Sequence, residues 1–169
     1  LFDMRKSMSF KGELFLSRYE LLGGYEKHKI ILNELEIPTK YQIQFYAKNP
    51  DKEIAFNKLA EYYRDTPELK DKIEALTQIL AIKSETKYEV DFTQVLKNAL
   101  TSSNAPLISI AADGIDSLFI SSYEFELKNI IENQISKLKD NPDFLEATMS
   151  LLNLAEKIDP EFYSQMIEK

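Results

Sequence analysis

The chain lacks several of the residues that build cross-links, metal sites and tight turns. Its 169 residues include no cysteine, no tryptophan, one histidine and four glycines. The lack of cysteine excludes a disulfide scaffold and a thiolate metal site. A single histidine leaves too few ligands for a structural zinc site. The few glycines, together with the lack of any long polar tract, indicate a chain with little disorder.

Long apolar runs are also absent. No segment approaches the roughly 18 consecutive apolar residues that a membrane-spanning helix needs, so we expect no membrane insertion. Hydrophobic residues make up 44% of the sequence and charged residues 29%, as in an ordinary soluble globular protein. This composition does not fix a compartment. We favour the cytoplasm, with a signal peptide lost ahead of Leu1 as the alternative.

Both ends of the sequence suggest that more chain belongs to the protein. The first residue is Leu1 rather than methionine, so we expect a processed chain or one part of a longer polypeptide. At the other end, Phe162, Met166 and Ile167 would be exposed on an isolated domain. We expect a following element to cover them.

The net charge of −7 is distributed unevenly. Residues 1–48 carry eight lysines and arginines against six carboxylates, whereas residues 140–169 carry two lysines against seven carboxylates. An acidic chain without a basic cluster is not expected to bind nucleic acid, because that binding depends on neutralising phosphates. The acidic end suits a basic partner, although a solvated face that keeps the protein soluble is the interpretation we prefer.

The motifs of common enzymes are missing. The sequence has no GxGxxG or GxxxxGKS/T nucleotide signature and no GxSxG nucleophile turn. His28 lies beside the apolar face of its helix, where we interpret it as a packing residue rather than a base or ligand. The carboxylate pairs Glu124 with Glu126 and Asp159 with Glu161 lack the Glu-x-x-His partner of a di-iron site. The sequence therefore predicts no catalytic residue, no cofactor site and no metal site, and a protein that is not an enzyme.

Helical periodicity is clearest in residues 90–119. Apolar residues recur there at the spacing of one helix face, in two runs. The runs are Phe92, Val95, Leu96, Ala99 and Leu100, then Ile108, Ala111, Ala112, Ile115, Leu118 and Phe119. Small polar residues at 101–104 end the first helix, and Pro106 starts the second because its missing N–H needs no partner there. The sequence predicts two short helices, with Gly114 inside the second.

The remaining chain shows the same alternation of helices and stops. We predict helices over residues 10–22, 25–37, 41–47, 50–64, 67–82, 123–139, 143–158 and 161–169. Residues 41–47 also alternate like a strand, but their helical neighbours and the lack of a partner strand favour helix. A capping residue followed by proline starts several of these helices, as at Asn141 and Asp159. Residues 84–89 form the longest predicted loop.

Residues 90–119 resemble a HEAT repeat. Leu96 and Leu100 match the leucines of the family's first helix, residues 102–106 match its polar turn, and Ala111 with Ala112 match the paired alanines of its second helix. The arginine often found early in the second helix is replaced by the apolar Leu107 and Ile108. The resemblance implies an all-α fold, in which antiparallel helical hairpins stack as a short HEAT-like alpha-solenoid over residues 1–169.

Proline spacing supports a repeat. Pro67, Pro106 and Pro142 lie 39 and 36 residues apart, close to the spacing of HEAT-type arrays. The aligned apolar positions are Leu69, Ile108 and Phe144, then Leu76, Ile115 and Leu151, then Ile79, Leu118 and Leu154. Three similar helices in a non-repetitive bundle remain the alternative.

The sequence is rich in tyrosine and phenylalanine, with nine and ten residues. Because tyrosines are favoured at interfaces, we expect a partner surface drawn from Tyr41, Phe45, Tyr46, Tyr62, Tyr63, Tyr88, Tyr123 and Phe125. The predicted function is a non-enzymatic protein–protein interaction scaffold whose second helices line a concave face. The alternatives are a helical accessory domain of a larger enzyme, a tetratricopeptide-type module and, last, a self-contained hydrolase. Oligomeric state and partner identity stay open.

Overall fold

The computed structural model describes residues 12–16, 25–34, 36–86 and 90–168, without the side chains of residues 28, 31, 33 and 34. These residues form helices joined by short connections, and no strand occurs among them. The prediction of an all-α fold is confirmed. The helices are α1 (residues 12–16), α2 (Tyr25–Glu34), α3 (Thr39–Ala47), α4 (Lys52–Asp65), α5 (Leu69–Thr86), α6 (Thr93–Leu100), α7 (Ala105–Asp113), α8 (Ser117–Leu138), α9 (Leu145–Ile158) and α10 (Pro160–Ile167), with a 3-10 turn (Pro142–Phe144) before α9.

The contacts group the chain into two compact units. Unit 1 is Leu1–Val90 and unit 2 is Asp91–Lys169. The expected single repeat domain over residues 1–169 stays a prediction, and each unit is described by itself.

Unit 1 is built around the fully buried ring of Phe45 on α3. The Tyr25 ring of α2 stacks on it with centroids 4.8 Å apart, and the Phe15 ring of α1 lies at 5.4 Å. Leu32 and Ile37 complete this cluster. Phe45 therefore joins α3 to the two helices that precede it.

Helices α3, α4 and α5 form the second part of unit 1. The Lys52–Glu85 ion pair (3.0 Å) and the hydrogen bond from Lys72 to the Arg64 carbonyl (3.3 Å) connect opposite ends of α4 and α5, so these helices run antiparallel. The side chain of Gln44 on α3 donates to Glu74 on α5 (2.9 Å). Helix α3 thus packs on α5 as well as on α4.

In unit 2, α6 and α8 run in the same direction. Thr93 donates to the Tyr123 hydroxyl (2.9 Å), and Lys97 pairs with Glu126 (2.7 Å). Further along both helices, the buried Gln134 amide donates to the Leu100 carbonyl (2.7 Å). Helices α7 and α9 pack extensively on each other, and α10 packs on α9.

Buried positions recur at a step of 36 residues. Ile43, Ile79, Ile115 and Leu151 are 36 residues apart in succession, and each is at most 3% exposed. Fully buried alanines follow the same step in α5, α7 and α9, as Ala75, Ala111 and Ala147. In α4, α6 and α8, the buried residues Tyr63, Ala99 and Ile135 follow this step too.

The predicted helix boundaries need several corrections in unit 1. Helix α2 ends at Glu34 because Ile37 leaves the helix to join the Phe45 cluster. Helix α4 begins at Lys52 rather than at residue 50, and Asp51 caps it by accepting from the Ile54 N–H (3.0 Å). Helix α5 continues to Thr86, so residues 84–86 are not a loop. Residues 87–89, and all of the predicted helix 10–22 except residues 12–16, lie outside the described chain.

Unit 2 confirms two short helices in residues 90–119 but moves their boundaries. Helix α7 ends at Asp113, so Gly114 is the residue after the helix rather than inside it. Leu118 is 54% exposed and was wrongly placed on the buried face. Helix α8 begins at Ser117, where Asp116 caps it, and has a backbone break at Tyr123, the predicted helix start.

The last helix corrects another expectation. Phe162 and Met166 are buried within unit 2 and only Ile167 of the three apolar residues is exposed. Asn141 and Asp159 do cap their helix starts as predicted, accepting from the N–H groups of Asp143 (3.1 Å) and Glu161 (2.9 Å). The Asp159 cap fixes the start of α10 so that Phe162 and Met166 point into the unit.

Candidate functional site

Two tyrosines and a lysine form a surface cluster in unit 1. The Lys58 ammonium of α4 lies 5.6 Å from the Tyr46 ring centroid and 5.8 Å from that of Tyr62. The two rings are themselves 5.8 Å apart. The Tyr62 hydroxyl donates to Gln42 of α3 (2.6 Å), and Lys58 pairs with Glu61 (2.7 Å). We call Gln42, Tyr46, Lys58, Glu61 and Tyr62 the tyrosine surface.

The protonation of this surface follows from its packing. Burial raises the pKa of the Tyr62 phenol to about 12, so the phenol keeps the proton that it donates to Gln42 even at alkaline pH. The hydrogen bond from Lys58 to Glu61 raises the pKa of the Lys58 ammonium. The surface therefore presents a phenol held by a hydrogen bond and a paired charge.

Two clefts meet at the Lys58–Glu61 pair. The first, of about 370 Å³, is lined by Thr39, Lys58, Glu61, Tyr62, Asp65 and Thr66. The second, of about 350 Å³, is lined by Tyr25, Lys29, Tyr46, Ile54, Asn57, Lys58 and Glu61. Ile54 is 54% exposed at the edge of the second cleft and gives the surface an apolar contact. Shallow clefts of this kind, lined by tyrosines and an exposed aliphatic side chain, suit a protein segment.

The residues of the predicted aromatic surface lie in different parts of the structure. Tyr46 and Tyr62 lie together in the tyrosine surface, and Tyr41 is half-buried on the same helix as Tyr46. Phe45 and Tyr63 belong to the core. Tyr123 and Phe125 lie in unit 2, where Tyr123 is half-buried and Phe125 is exposed, and Tyr88 is outside the described residues.

Sequence reasoning missed the polar members of the tyrosine surface. Gln42 and Tyr46 are four residues apart on α3, and Lys58 and Tyr62 are four apart on α4, so each pair shares one helix face. This spacing could have been found in the sequence. The packing of α3 on α4, which brings the two pairs together, could not.

The other candidate residues from the sequence are His28 and the paired carboxylates. His28 lies in α2, but its side chain is outside the description. Glu124 and Asp159 both pair with Lys128, at 2.8 and 3.0 Å, and Glu126 pairs with Lys97. Among the residues that the structure describes, no three histidine, aspartate or glutamate side chains converge as a metal-binding group.

Comparisons with protein-family models, curated proteins and solved structures found no match to this chain. Within the described ranges, no helix is both long and apolar enough to cross a membrane.

Proposed function

We propose that this chain is a HEAT-like helical-repeat scaffold that binds a protein partner and is not itself an enzyme. The observation that carries the proposal is the 36-residue step between the buried residues Ile43, Ile79, Ile115 and Leu151. A fixed step of this length is typical of arrays in which each helical hairpin packs on the next. Such arrays bury only one layer of side chains and leave long helix surfaces open to a partner.

The packing of alternate helices supports the same proposal. Helix α3 packs on α5, and α7 packs on α9, while α6 and α8 run in one direction. In a stack of hairpins, first helices lie beside first helices and second helices beside second helices. The proposed fold therefore has two layers, one of first helices and one of second helices.

The tyrosine surface is the proposed partner-binding site in unit 1. Tyrosine supplies a large contact area with little conformational entropy to lose, and here Lys58 and Gln42 already hold the two rings. The accessory-domain alternative rests on Leu1 and on the apolar end of the chain, where Phe162 and Met166 are buried in unit 2 and Ile167 is exposed. The scaffold is the function that we propose first.

Affinity capture with matched variants tests this function. The tagged chain is compared with Ile54→Glu, at the edge of the tyrosine surface, and with Leu118→Glu, which makes the same kind of change at an equally exposed residue in unit 2. We expect a reproducible set of captured proteins that is depleted at least tenfold by Ile54→Glu and retained by Leu118→Glu. Capture of nothing above the tag alone, or equal capture by all three chains, contradicts the proposal.

A further inference from the structure

The outer side of α9 carries a row of apolar side chains. Leu145 is 67% exposed, Met149 is 52% exposed and Leu152 is half-buried. They occupy positions i, i+4 and i+7, so they lie on one face of the helix. Helix α9 uses its other face for the core of unit 2. The residues buried there are Ala147, Ser150, Leu151, Leu154 and Ala155.

Negative charge is in excess along this helix and just before it. From Lys139 to Lys157 the chain contains four carboxylates and two lysines, one at each end. All four of these carboxylate residues are exposed and, among the described residues, none forms an ion pair. They are Asp140, Asp143, Glu146 and Glu156. Of the other nine carboxylates of unit 2, Glu124, Glu126 and Asp159 are paired with lysines.

Helix stability explains only part of this charge. Asp143 and Glu146 lie near the start of α9, where a carboxylate interacts favourably with the helix dipole. Glu156 lies in the last turn, where a negative charge is unfavourable. The whole of unit 2 is also acidic, with 6 lysines against 13 carboxylates, whereas unit 1 has 15 lysines and arginines against 15 carboxylates. The excess charge around α9 is therefore available to a partner.

We propose that this face of α9 docks a basic amphipathic helix of the partner protein. Leu145, Met149 and Leu152 would pack against its apolar residues, while lysines or arginines beside them meet the four carboxylates. Methionine suits such a contact because its flexible side chain adapts to the partner. From residue 145 to 156 the face is about 16 Å long, enough for three turns of helix. The inference rests on the proposed scaffold function and names the chemistry of one partner.

Selection from an unbiased peptide library tests the inference. A displayed library of 16-residue random peptides is selected on the whole chain and counter-selected on Met149→Glu. This substitution adds negative charge, so weaker binding of a basic peptide by the variant can only come from the lost apolar contact. We expect enriched peptides with a net positive charge and with apolar residues at i, i+3 or i+4, and i+7. Enrichment of acidic or charge-neutral peptides, or no enrichment over the variant, overturns the proposal.

Titration of the enriched peptide with purified variants completes the test. We expect at least tenfold weaker binding to Met149→Glu and at most a twofold change with Phe125→Glu, an exposed apolar residue on α8. Glu156→Gln should weaken binding more than Glu53→Gln, the same change at an exposed position in unit 1. Far-UV circular dichroism checks that each variant folds.

The two proposals can fail separately. If the library yields no basic helix but Ile54→Glu still releases captured proteins, the α9 inference is wrong and the scaffold stands. If the peptide binds α9 but affinity capture finds nothing, the tyrosine surface is not the site and the scaffold proposal fails as stated.

Discussion

Tyr62 shows how a single side chain can fix the geometry of a surface. Its hydroxyl donates to Gln42, whose own amide donates to the Ile37 carbonyl (2.6 Å). The ring is half-buried between Tyr46 and Lys58. Burial raises the pKa of the phenol, so its hydrogen bond to Gln42 persists to alkaline pH.

Replacing Tyr62 with phenylalanine tests the electrostatics of this site. An ultraviolet titration of the folded wild type should include one phenol with a pKa of about 12, and Tyr62→Phe should lose that transition. Because the folded pKa lies above the unfolded value of about 10, the stability that Tyr62 contributes is present below pH 10 and is lost as the pH rises toward 12. Tyr163→Phe, the same change in unit 2, is the control. Burial also raises the pKa of the Tyr63 phenol, so the test is the number of phenols with a raised pKa. The same number in Tyr62→Phe as in the wild type contradicts the assignment.

Two leucines on α9 allow the cost of truncating a buried side chain to be compared with that of truncating an exposed one. Leu151 is fully buried, whereas Leu145 on the same helix is 67% exposed. Leu151→Ala should lower the free energy of unfolding by about 2–5 kcal/mol, because the substitution leaves a cavity in the core. Leu145→Ala should change it by less than about 0.5 kcal/mol. Urea denaturation of both variants provides the measurement, and similar costs would show that the burial of α9 is wrongly assigned.

At the scale of elements, the sequence indicated most helices and misplaced many of their ends. The periodic faces of α6 and α9 were predicted from apolar spacing, and Asn141 and Asp159 from their capping chemistry. Errors occurred where a tertiary contact decides the boundary. Ile37 leaves the helix to pack on the Phe45 cluster, and the chain from Ser117 to Tyr123 forms one extra helical segment because Asp116 caps it and Phe119 is buried.

Gln134 is the strongest example of a link between elements. It lies on α8 and is 4% exposed, and its amide donates to the carbonyls of Leu100 and Ser102 at the end of α6. These carbonyls have no partner within their own helix. No sequence pattern predicts this contact, because α6 and α8 are separated along the chain and meet only in the folded structure.

Removing that amide should destabilise unit 2. Gln134→Leu leaves the Leu100 carbonyl buried without its donor, which costs about 1–3 kcal/mol of unfolding free energy. Gln94→Leu, at an exposed position on α6, is the matched control and should be close to neutral. Thermal or urea unfolding of the two variants gives the comparison. An equal effect in both would mean that the Gln134 hydrogen bonds do not hold α6 to α8.

For the whole molecule, the proline alignment and the buried residues give different steps. Pro67 and Pro106 are 39 residues apart, rather than 36, because α5 begins two residues after Pro67 whereas α7 begins one residue before Pro106. The buried positions are set by packing between helices, and they recur at a constant step of 36 residues. Leu69 and Leu118, which the proline alignment placed in the core, are 37% and 54% exposed. The proline alignment therefore missed the register of the buried positions.

The central claim is that second helices stack side by side, in one direction, at a step of 36 residues. Spin labels test it directly, because a chain without cysteine carries labels only at the cysteines introduced. Three double variants place exposed cysteines 36 residues apart. They are Lys48→Cys with Ser84→Cys in unit 1, and Ser103→Cys with Lys139→Cys and Asp113→Cys with Met149→Cys in unit 2.

Electron paramagnetic resonance then gives the distance between the labels in each variant. Parallel neighbouring helices have axes about 8–10 Å apart, so the account predicts three similar short distances. In unit 2, Ser103 lies just before the start of α7 and Asp113 lies at its end. An α9 that ran antiparallel to α7 would therefore lengthen at least one of the two distances. Distances that differ by more than a helix diameter, about 10 Å, would contradict the repeat.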